Sequence, residues 1–240
     1  MKNTKVNTKG NKVKVTREQM AEMGWTKEQK LDYYCNLNNT VTIATNNHKL
    51  GSQVCGLSLP PVTTCRSNAP CKKSCYACKG NQQYPTVLGT YMKNLRIWRE
   101  NPRYFFESID YYLKYSGYRY MRLFDSGDFP NEQFLVDLIE LVVKNNPNVR
   151  FMAFTKKYEI INNYLKTHTL PENLTIIFSA WDKNWKFENP YNLPVAYVNF
   201  TKTEINPSIP EDSKTCEKNC SICYKCWNLK NGESVVFGQH

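Results

Sequence analysis

Long apolar runs are absent from this sequence of 240 residues. No segment approaches the roughly 18 consecutive apolar residues that a membrane-spanning helix requires, which excludes an integral helical membrane protein. Residues 1–16 are polar and basic, and they lack the apolar segment of a signal peptide. We therefore expect a cytoplasmic protein without a membrane partner.

Histidine is also scarce, with three residues in the chain. His48, His168 and His240 have neither helical nor metal-type spacing among themselves. We expect them to be structural or exposed rather than catalytic. His48 lies close enough in sequence to a cysteine-rich loop to be a candidate ligand.

Cysteine, by contrast, is abundant, with ten residues. Thiols stay reduced in the cytoplasm, so clustered cysteines there usually bind metal or carry out chemistry. Disulfides are the less favoured interpretation. The sequence therefore predicts a cysteine-ligated metalloprotein, with iron–sulfur clusters favoured over structural zinc.

The remaining chain alternates between strand-like and helix-like segments. With 41% hydrophobic and 13% aromatic residues, it is long enough to bury one sizeable core. Short β-branched and aromatic runs between amphipathic helices indicate right-handed crossovers and a parallel sheet. We expect an α/β fold: a partial (β/α) barrel-like parallel sheet with cysteine-rich loops that bind metal clusters. Strands are predicted at residues 40–45, 118–124, 149–156, 174–181, 195–200 and 234–240, and helices from Thr16, over 85–115 with a break before Pro102, over 131–145 and over 158–167.

This pattern divides the chain into three parts. Residues 1–39 are expected to form a basic arm and a short helix, and residues 40–205 the α/β core with a cysteine loop at 55–78. Residues 206–240 form a C-terminal cysteine-rich segment. The net charge of +11 and the basic arm suit a nucleic-acid partner. The alternative is a solvated tail, in a chain whose many lysines and asparagines reflect an AT-rich coding sequence.

The first cysteine group consists of Cys65, Cys71, Cys75 and Cys78, with Cys55 upstream. Its core has C-x3-C-x2-C spacing. Three thiolates packed this closely can bind three irons of a [4Fe–4S] cluster and leave the fourth iron open to a substrate. Cys65 can instead fill that position and close the site. A zinc knot with four thiolates is the alternative metal site.

The second cysteine group consists of Cys216, Cys220, Cys223 and Cys226. Its C-x3-C-x2-C-x2-C spacing is close to the tight runs with which ferredoxin-type proteins hold a [4Fe–4S] cluster. Nearby lysines favour an anionic cluster electrostatically; they are Lys214, Lys218 and Lys225. Zinc is again the competing metal.

The order of these motifs resembles that of the radical S-adenosylmethionine superfamily over roughly residues 40–200. The segment CKKSCYAC (71–78) has the spacing by which that superfamily holds its [4Fe–4S] cluster on a loop after the first strand. The segment RLFDSGDFPNEQF (122–134) looks like its second strand, which ends in a Gly-Gly-Glu-Pro-type turn. The resemblance implies that Ser126, Gly127 and Asp128 contact the amino group of S-adenosylmethionine.

In overall layout the chain resembles the mainly phage-encoded gene product 88 family. The shared elements are Leu-Pro-Pro at 59–61, Cys-Tyr-Ala at 75–77, Ser-Gly-Asp-Phe at 126–129, Thr-Lys at 155–156 and Cys-x2-Cys-Trp at 223–227. The resemblance implies a phage or mobile-element protein. It supports the fold and the sites more than any activity.

Polar residues follow several predicted strands, where parallel sheets bind their ligands. Asp125 and Asp128 can orient an amine or a ribose hydroxyl, although Asp128 can equally cap the next helix. Lys156 can bind a carboxylate or phosphate, or be simply solvated. Trp181 and Trp185 either line the crevice or pack at its rim.

Two functional hypotheses follow. The leading one is a radical S-adenosylmethionine-like enzyme with a small-molecule substrate, in which the C-terminal cysteines hold an auxiliary cluster. The alternative is a non-catalytic iron–sulfur or zinc protein that binds nucleic acid or a host protein.

Overall fold

A parallel sheet forms the centre of the molecule. The computed structural model describes residues 15–45, 50–180, 185–199, 209–217 and 219–238. The strands are β1 (Val54–Leu57), β2 (Tyr120–Leu123), β3 (Arg150–Thr155), β4 (Leu174–Ala180), β5 (Val195–Asn199), β6 (Lys214–Thr215) and β7 (Ser234–Gly238). Their order in the sheet is β1-β2-β3-β4-β5-β7-β6, and each pairing is parallel. The predicted α/β class with a parallel sheet is confirmed.

The sheet is open. Within the described residues, β1 and β6 form its two edges and do not pair with each other. The first five strands follow chain order, as in a barrel, but β7 inserts between β5 and β6. The coarse prediction of a parallel sheet therefore holds, without closure into a barrel.

Local sequence signals set the ends of most helices. The helices are α1 (Arg17–Glu22), α2 (Lys27–Cys35), α3 (Pro85–Glu100), α4 (Pro102–Ser116), α5 (Glu132–Leu138), α6 (Tyr158–Leu165) and α7 (Cys220–Cys223). Thr16 and Gln19 form the predicted capping box at the start of α1. Asn101 caps α4 through a 3.0 Å hydrogen bond from the Tyr104 N–H, and Pro102 takes its first position. The predicted break within residues 85–115 is thus confirmed.

The prediction of a strand at residues 40–45 was wrong. Only an isolated antiparallel bridge between Ala44 and Gly56 forms there. The Asn94 side chain instead bonds both backbone groups of Thr42, at 2.9 Å each. An amide side chain thus takes the place of a neighbouring strand, and β-branched alternation alone could not reveal this. The true first strand, β1, lies within the stretch that was expected to be loop.

Two polar elements were missed. Helix α2 begins with a second capping box, at Thr26 and Gln29, but it has no buried residue to give it an apolar periodicity. Strand β6 has two residues, too few for an alternation to be recognised. Both depend on their tertiary neighbours, α2 on α3 and β6 on β7.

An aromatic cluster fills the space between the sheet and helices α3 to α5. Phe134 lies at its centre and is fully buried. Its ring centroid lies 5.0–6.4 Å from those of Trp98, Phe105, Phe106, Phe124 and Phe129. The opposite face of the sheet packs against the C-terminal segment through Trp227 and Leu229. The C-terminal cysteines therefore belong to a layer of the fold.

Several predicted features lie outside the described residues. They are the basic arm at residues 1–14, His48, Trp181, Lys218 and His240. None of the described helices combines the length and the apolarity needed to cross a bilayer.

The position of Phe134 leads to a stability prediction. Phe134→Ala should lower the free energy of unfolding by about 3–5 kcal/mol, because it removes apolar area and leaves a cavity among five rings. Tyr111→Ala, on an exposed surface of α4, is the matched control and should change it by less than about 0.5 kcal/mol. Urea denaturation followed by circular dichroism measures both. Equal effects of the two variants would contradict this packing.

Candidate functional site

The carboxyl ends of β1 to β4 meet at one edge of the sheet. Ser58 follows β1, the turn at residues 124–128 follows β2, Lys156 follows β3, and Ser179 lies at the end of β4. The Lys156 Nζ donates to the Ser179 Oγ at 2.8 Å. We call this region the carboxyl edge. It holds the residues that were predicted to bind a cofactor, as parallel α/β folds generally do.

The turn at residues 126–128 is tightly held by the loop after β1. The Ser126 N–H donates to the Ser58 Oγ at 3.3 Å, and the Asp128 N–H donates to the Thr64 Oγ1 at 3.1 Å. Gly127 has φ of +84°, and a Cβ there would lie 2.7 Å from both the Leu59 carbonyl oxygen and the Thr64 Oγ1. Only glycine fits this close approach without displacing its neighbours.

Backbone strain is concentrated beside this turn. Phe124 has φ of +62° and Val62 has φ of +67°, a left-handed conformation that bulky residues rarely adopt. Both lie in segments that carry candidate site residues. Strained residues persist where the surroundings fix them, and they often occur at functional sites.

Asp128 joins the turn to the end of β3. Its Oδ1 accepts from the Thr155 hydroxyl at 2.6 Å and from the Phe129 N–H at 2.8 Å. Its Oδ2 accepts from the Lys156 N–H at 2.9 Å. Burial raises the pKa of Asp128, and these three hydrogen bonds oppose the rise. Asp128 does not cap α5, since the Asn131 side chain does so.

The Ser126 hydroxyl is buried at the same place. Ser126 is 2% exposed, and its Oγ has no hydrogen-bond partner among the described residues. A buried polar atom without a partner is costly, which makes it a candidate for a hydrogen bond to a bound group.

The cysteine loop is fixed to the carboxyl edge by Arg66, which sequence reasoning missed. Its guanidinium pairs with Glu159 at 2.7 Å. The guanidinium carbon lies 5.6 Å from the Tyr158 ring centroid and 5.5 Å from that of Trp185. Cation–π contacts of this kind stabilise by about 0.5–2 kcal/mol each. The Trp185 Nε1 also donates to the Tyr158 hydroxyl at 2.9 Å, so Trp185 packs at the rim.

The thiols of the first cysteine group lie within electrostatic reach of one another. Burial raises the pKa of the Cys65 thiol to about 11, and the Cys71 and Cys75 thiols act in the same direction. Burial also raises the pKa of Cys71, while the Lys156 ammonium opposes this rise. The pKa of Cys78 is raised by burial and by Cys75. Cys65 therefore lies within electrostatic reach of Cys71 and Cys75, and Cys78 within reach of the same two thiols.

The second cysteine group packs on the face of the sheet opposite the aromatic cluster. Cys216 follows β6, and its N–H donates to the Val236 carbonyl of β7 at 2.9 Å. Two of the cysteines form the ends of α7, and Tyr224, with φ of +46°, turns the chain toward Cys226. Burial raises the pKa of Cys226 to about 12, and the other three thiols of the group act in the same direction.

Comparison with known proteins now identifies the family. The family model described as Gene product 88 matches residues 25–207, which is most of the chain. The chain belongs to the gene product 88 family. This assignment makes it a phage-type protein, as its motif layout indicated. No curated protein and no solved structure gave a significant match.

The match to gene product 88 covers one cysteine group and stops before the other. Cys65 to Cys78, the turn at 126–128 and Lys156 all lie within residues 25–207. The second group lies beyond the matched range, as does the Cys-Trp element at residues 223–227. The carboxyl edge is thus the part of the site that belongs to the gene product 88 match.

The thiols do not converge as closely as ligands of one ion. Within the described part of this gene product 88 chain, no three Cys, His, Asp or Glu side chains are close enough to hold a single metal ion. Cys55 lies in the core, where its Sγ donates to the Tyr120 carbonyl at 3.6 Å and burial raises its pKa to about 12. His168 is exposed and stacks on Tyr164 with ring centroids 4.6 Å apart.

Arg122 is a second residue that sequence reasoning missed. Its Nε lies 2.7 Å from the Asp125 Oδ1. The Tyr76 hydroxyl donates to the Asp125 carbonyl oxygen, although half of the Tyr76 surface is exposed. Burial of this hydroxyl raises the pKa of Tyr76 to about 12. A charged residue on the buried side of a predicted strand is the signal that could have identified Arg122.

The close approach at Gly127 can be tested against a glycine of similar conformation. Gly127→Ala should cost about 1–2 kcal/mol for the left-handed backbone and about 1–3 kcal/mol more for the overlap with Leu59 and Thr64. Gly117 has φ of +74°, and a Cβ added there would meet no other atom within 4 Å. Gly117→Ala should therefore show only the cost of the left-handed backbone. Chemical denaturation of both variants measures the difference. Equal costs would contradict the packing of this turn.

Proposed function

We propose that this gene product 88 family member is a phage-encoded iron–sulfur enzyme of the radical S-adenosylmethionine type. Cys71, Cys75 and Cys78 would hold the reactive [4Fe–4S] cluster. The turn formed by Ser126, Gly127 and Asp128 would position the cofactor. The second cysteine group would hold an auxiliary cluster. The observation that carries the proposal is the position of the cysteine loop beside this turn at the carboxyl edge.

The chemistry of the donor set supports iron–sulfur clusters. Soft thiolate ligands favour iron–sulfur clusters, zinc or Cu(I). A cubane cluster keeps its four thiolates farther apart than one zinc ion does, because iron and sulfide atoms lie between them. Cys65 lies within electrostatic reach of Cys71 and Cys75, and Cys226 within reach of the other three thiols of its group, which a shared cluster would require.

The charges around the first group suit an anionic cluster. Lys156 lies near enough to Cys71 to oppose the rise in its pKa, and so favours the thiolate that binds iron. The Lys156 Nζ donates to the Ser179 Oγ on β4, and the Lys156 backbone N–H donates to the Asp128 Oδ2. A cation fixed at both ends of the residue can compensate cluster charge without a large reorganisation.

The polar groups of the turn suit a cofactor with an amino and a carboxylate group. Ser126 offers a buried hydroxyl, and the Asp128 carboxylate retains acceptor capacity on Oδ2, which accepts one hydrogen bond. When bound, cluster and S-adenosylmethionine supply the radical chemistry, while the protein orients them and excludes water. The Lys156 ammonium, which donates to the Ser179 Oγ, would contact the carboxylate of the cofactor.

Anaerobic reconstitution tests this proposal. Chain loaded with iron and sulfide should absorb in the visible range, contain two clusters, and form 5′-deoxyadenosine from S-adenosylmethionine under reduction. Cys75→Ser should lose one cluster and all 5′-deoxyadenosine, whereas Cys35→Ser, a matched exchange on α2, should lose neither. A colourless chain that binds zinc, or a fully loaded chain that does not cleave the cofactor, would reject the enzyme.

One observation favours a second candidate. The Asp128 carboxylate and the Cys71 and Cys75 thiols all act on the pKa of Cys65, so Cys65 lies within electrostatic reach of the turn and of two thiols of its group. If Cys65 is the fourth ligand, the cluster is closed and the protein is non-catalytic. Its net charge of +11 would then support binding to nucleic acid.

Cys65→Ala separates the two candidates. In the enzyme, this variant should keep its cluster and its cofactor cleavage. In the closed protein, it should lose iron, and the wild type should bind DNA or RNA with an affinity that falls steeply with salt. Fluorescence anisotropy at several salt concentrations measures that affinity. Binding that is absent or insensitive to salt would reject the nucleic-acid candidate.

A further inference from the structure

Arg122 of β2 lies on the face of the sheet that carries the second cysteine group. Arg122 is opposite Gly56 of β1 and Met152 of β3 in the strand register. Side chains alternate along a strand, so Arg122 shares its face with Tyr120. Tyr120 and Met152 belong to the apolar cluster on which Cys216, Cys220 and Cys226 pack. Arg122 therefore points to the side of the sheet that the second group covers.

The surroundings of Arg122 hold its guanidinium in place. The Asp125 Oδ1 lies 2.7 Å from the Nε, and the two side chains are only 20% and 16% exposed. The guanidinium carbon lies 5.7 Å from the centroid of the Phe154 ring, which packs edge-on against Phe237 at 5.5 Å. An ion pair that is largely removed from solvent is costly to desolvate, so its net contribution to stability is small. A role beyond stability is the better explanation for it.

The residues around this ion pair contact both cysteine-bearing segments. On one side, Tyr76, which directly follows Cys75, donates its hydroxyl to the Asp125 carbonyl. On the other side, Tyr120 stacks on Tyr224 of the second group, with ring centroids 4.3 Å apart. Trp227, which directly follows Cys226, also donates its Nε1 to the carbonyl of Met121, the residue before Arg122, at 3.1 Å. Arg122 is thus the charged residue of β2 on the side of the sheet that the second group covers.

We propose that Arg122 is a positioning and charge-compensating residue shared by the two cysteine groups, and that it raises the reduction potential of the cluster held by the second group. This inference rests on the proposed function. Reduction adds an electron to a cluster already made negative by four thiolates, and a fixed neighbouring cation stabilises that added charge. The low dielectric of the buried face strengthens the effect. Arginine stays protonated at every working pH, so the effect is permanent.

A redox titration of the fully reconstituted chain, followed by electron paramagnetic resonance, tests this role. Cys223→Ser, which removes the second cluster, identifies the corresponding signal. Arg122→Gln should keep its iron content but shift the midpoint potential of that cluster to a more negative value. Arg122→Lys keeps the charge and should stay close to the wild type.

Lys225→Gln is the matched control. It removes one positive charge beside Cys226 in sequence, but Lys225 is 41% exposed and pairs with Glu217. Solvent and salt screen such a charge. The shift in midpoint potential caused by Lys225→Gln should therefore be smaller than that caused by Arg122→Gln, and it should vanish at high salt. The shift in Arg122→Gln should persist at high salt.

The possible outcomes separate this role from a structural one. An unchanged potential in Arg122→Gln at full iron content would overturn the inference, and so would equal shifts in Arg122→Gln and Arg122→Lys. If Arg122→Gln fails to fold because Asp125 loses its partner, the variant pair Asp125→Asn and Asp125→Asn with Arg122→Gln replaces it, and the second should have the more negative potential of the two. A chain that takes up no iron fails earlier, at the loading step, and rejects the proposed function together with this inference.

Discussion

The hydrogen bonds of Asp128, made by its carboxylate and its backbone N–H, connect three segments that are far apart in sequence. They tie the turn after β2 to the end of β3, and the Asp128 N–H ties the same turn to Thr64 of the cysteine loop. Gly127 allows the backbones to meet because it has no Cβ. The place of the cysteine loop relative to the sheet depends on this connection. Charge-assisted hydrogen bonds to a carboxylate are suited to joining these segments, because such bonds are short and directional.

The buried charges at the carboxyl edge fix the positions of neighbouring segments, but their burial contributes little to the stability of the fold. The raised pKa of Asp128 indicates that burial outweighs its three hydrogen bonds. The Arg122 and Asp125 pair is similarly removed from water. An apolar edge would fold with less desolvation cost. Fixed charges beside two groups of thiols are reasonable, however, if those thiols hold anionic clusters, because the cations then have partners that the protein alone does not supply.

The parts of the fold that could be predicted are those that follow from a local sequence pattern. Alternation gave β2, β3 and β4, and capping and proline chemistry gave the ends of α1 and α4. The prediction failed at residues 40–45, where Asn94 replaces a strand partner. It missed Arg66, whose contacts are with residues far away in sequence, and it missed Arg122, although a charge within a predicted strand was a signal for it. Cysteine spacing named both groups, but spacing cannot decide which four thiols share a site.

If the first group holds the proposed cluster, the neighbours of Cys65 would determine whether its fourth iron is open or closed. Thr64 is held by the Asp128 N–H, and Arg66 is held by Glu159 and two aromatic rings. A residue fixed on both sides cannot swing away from its position by a local rotation of the loop. Cys65 therefore stays beside Cys71 and Cys75 unless the Arg66 contacts break. Access to a fourth iron would then depend on the Arg66–Glu159 ion pair as much as on the Cys65 thiol. The contacts of Arg66 that fix the cysteine loop would thus also control the chemistry.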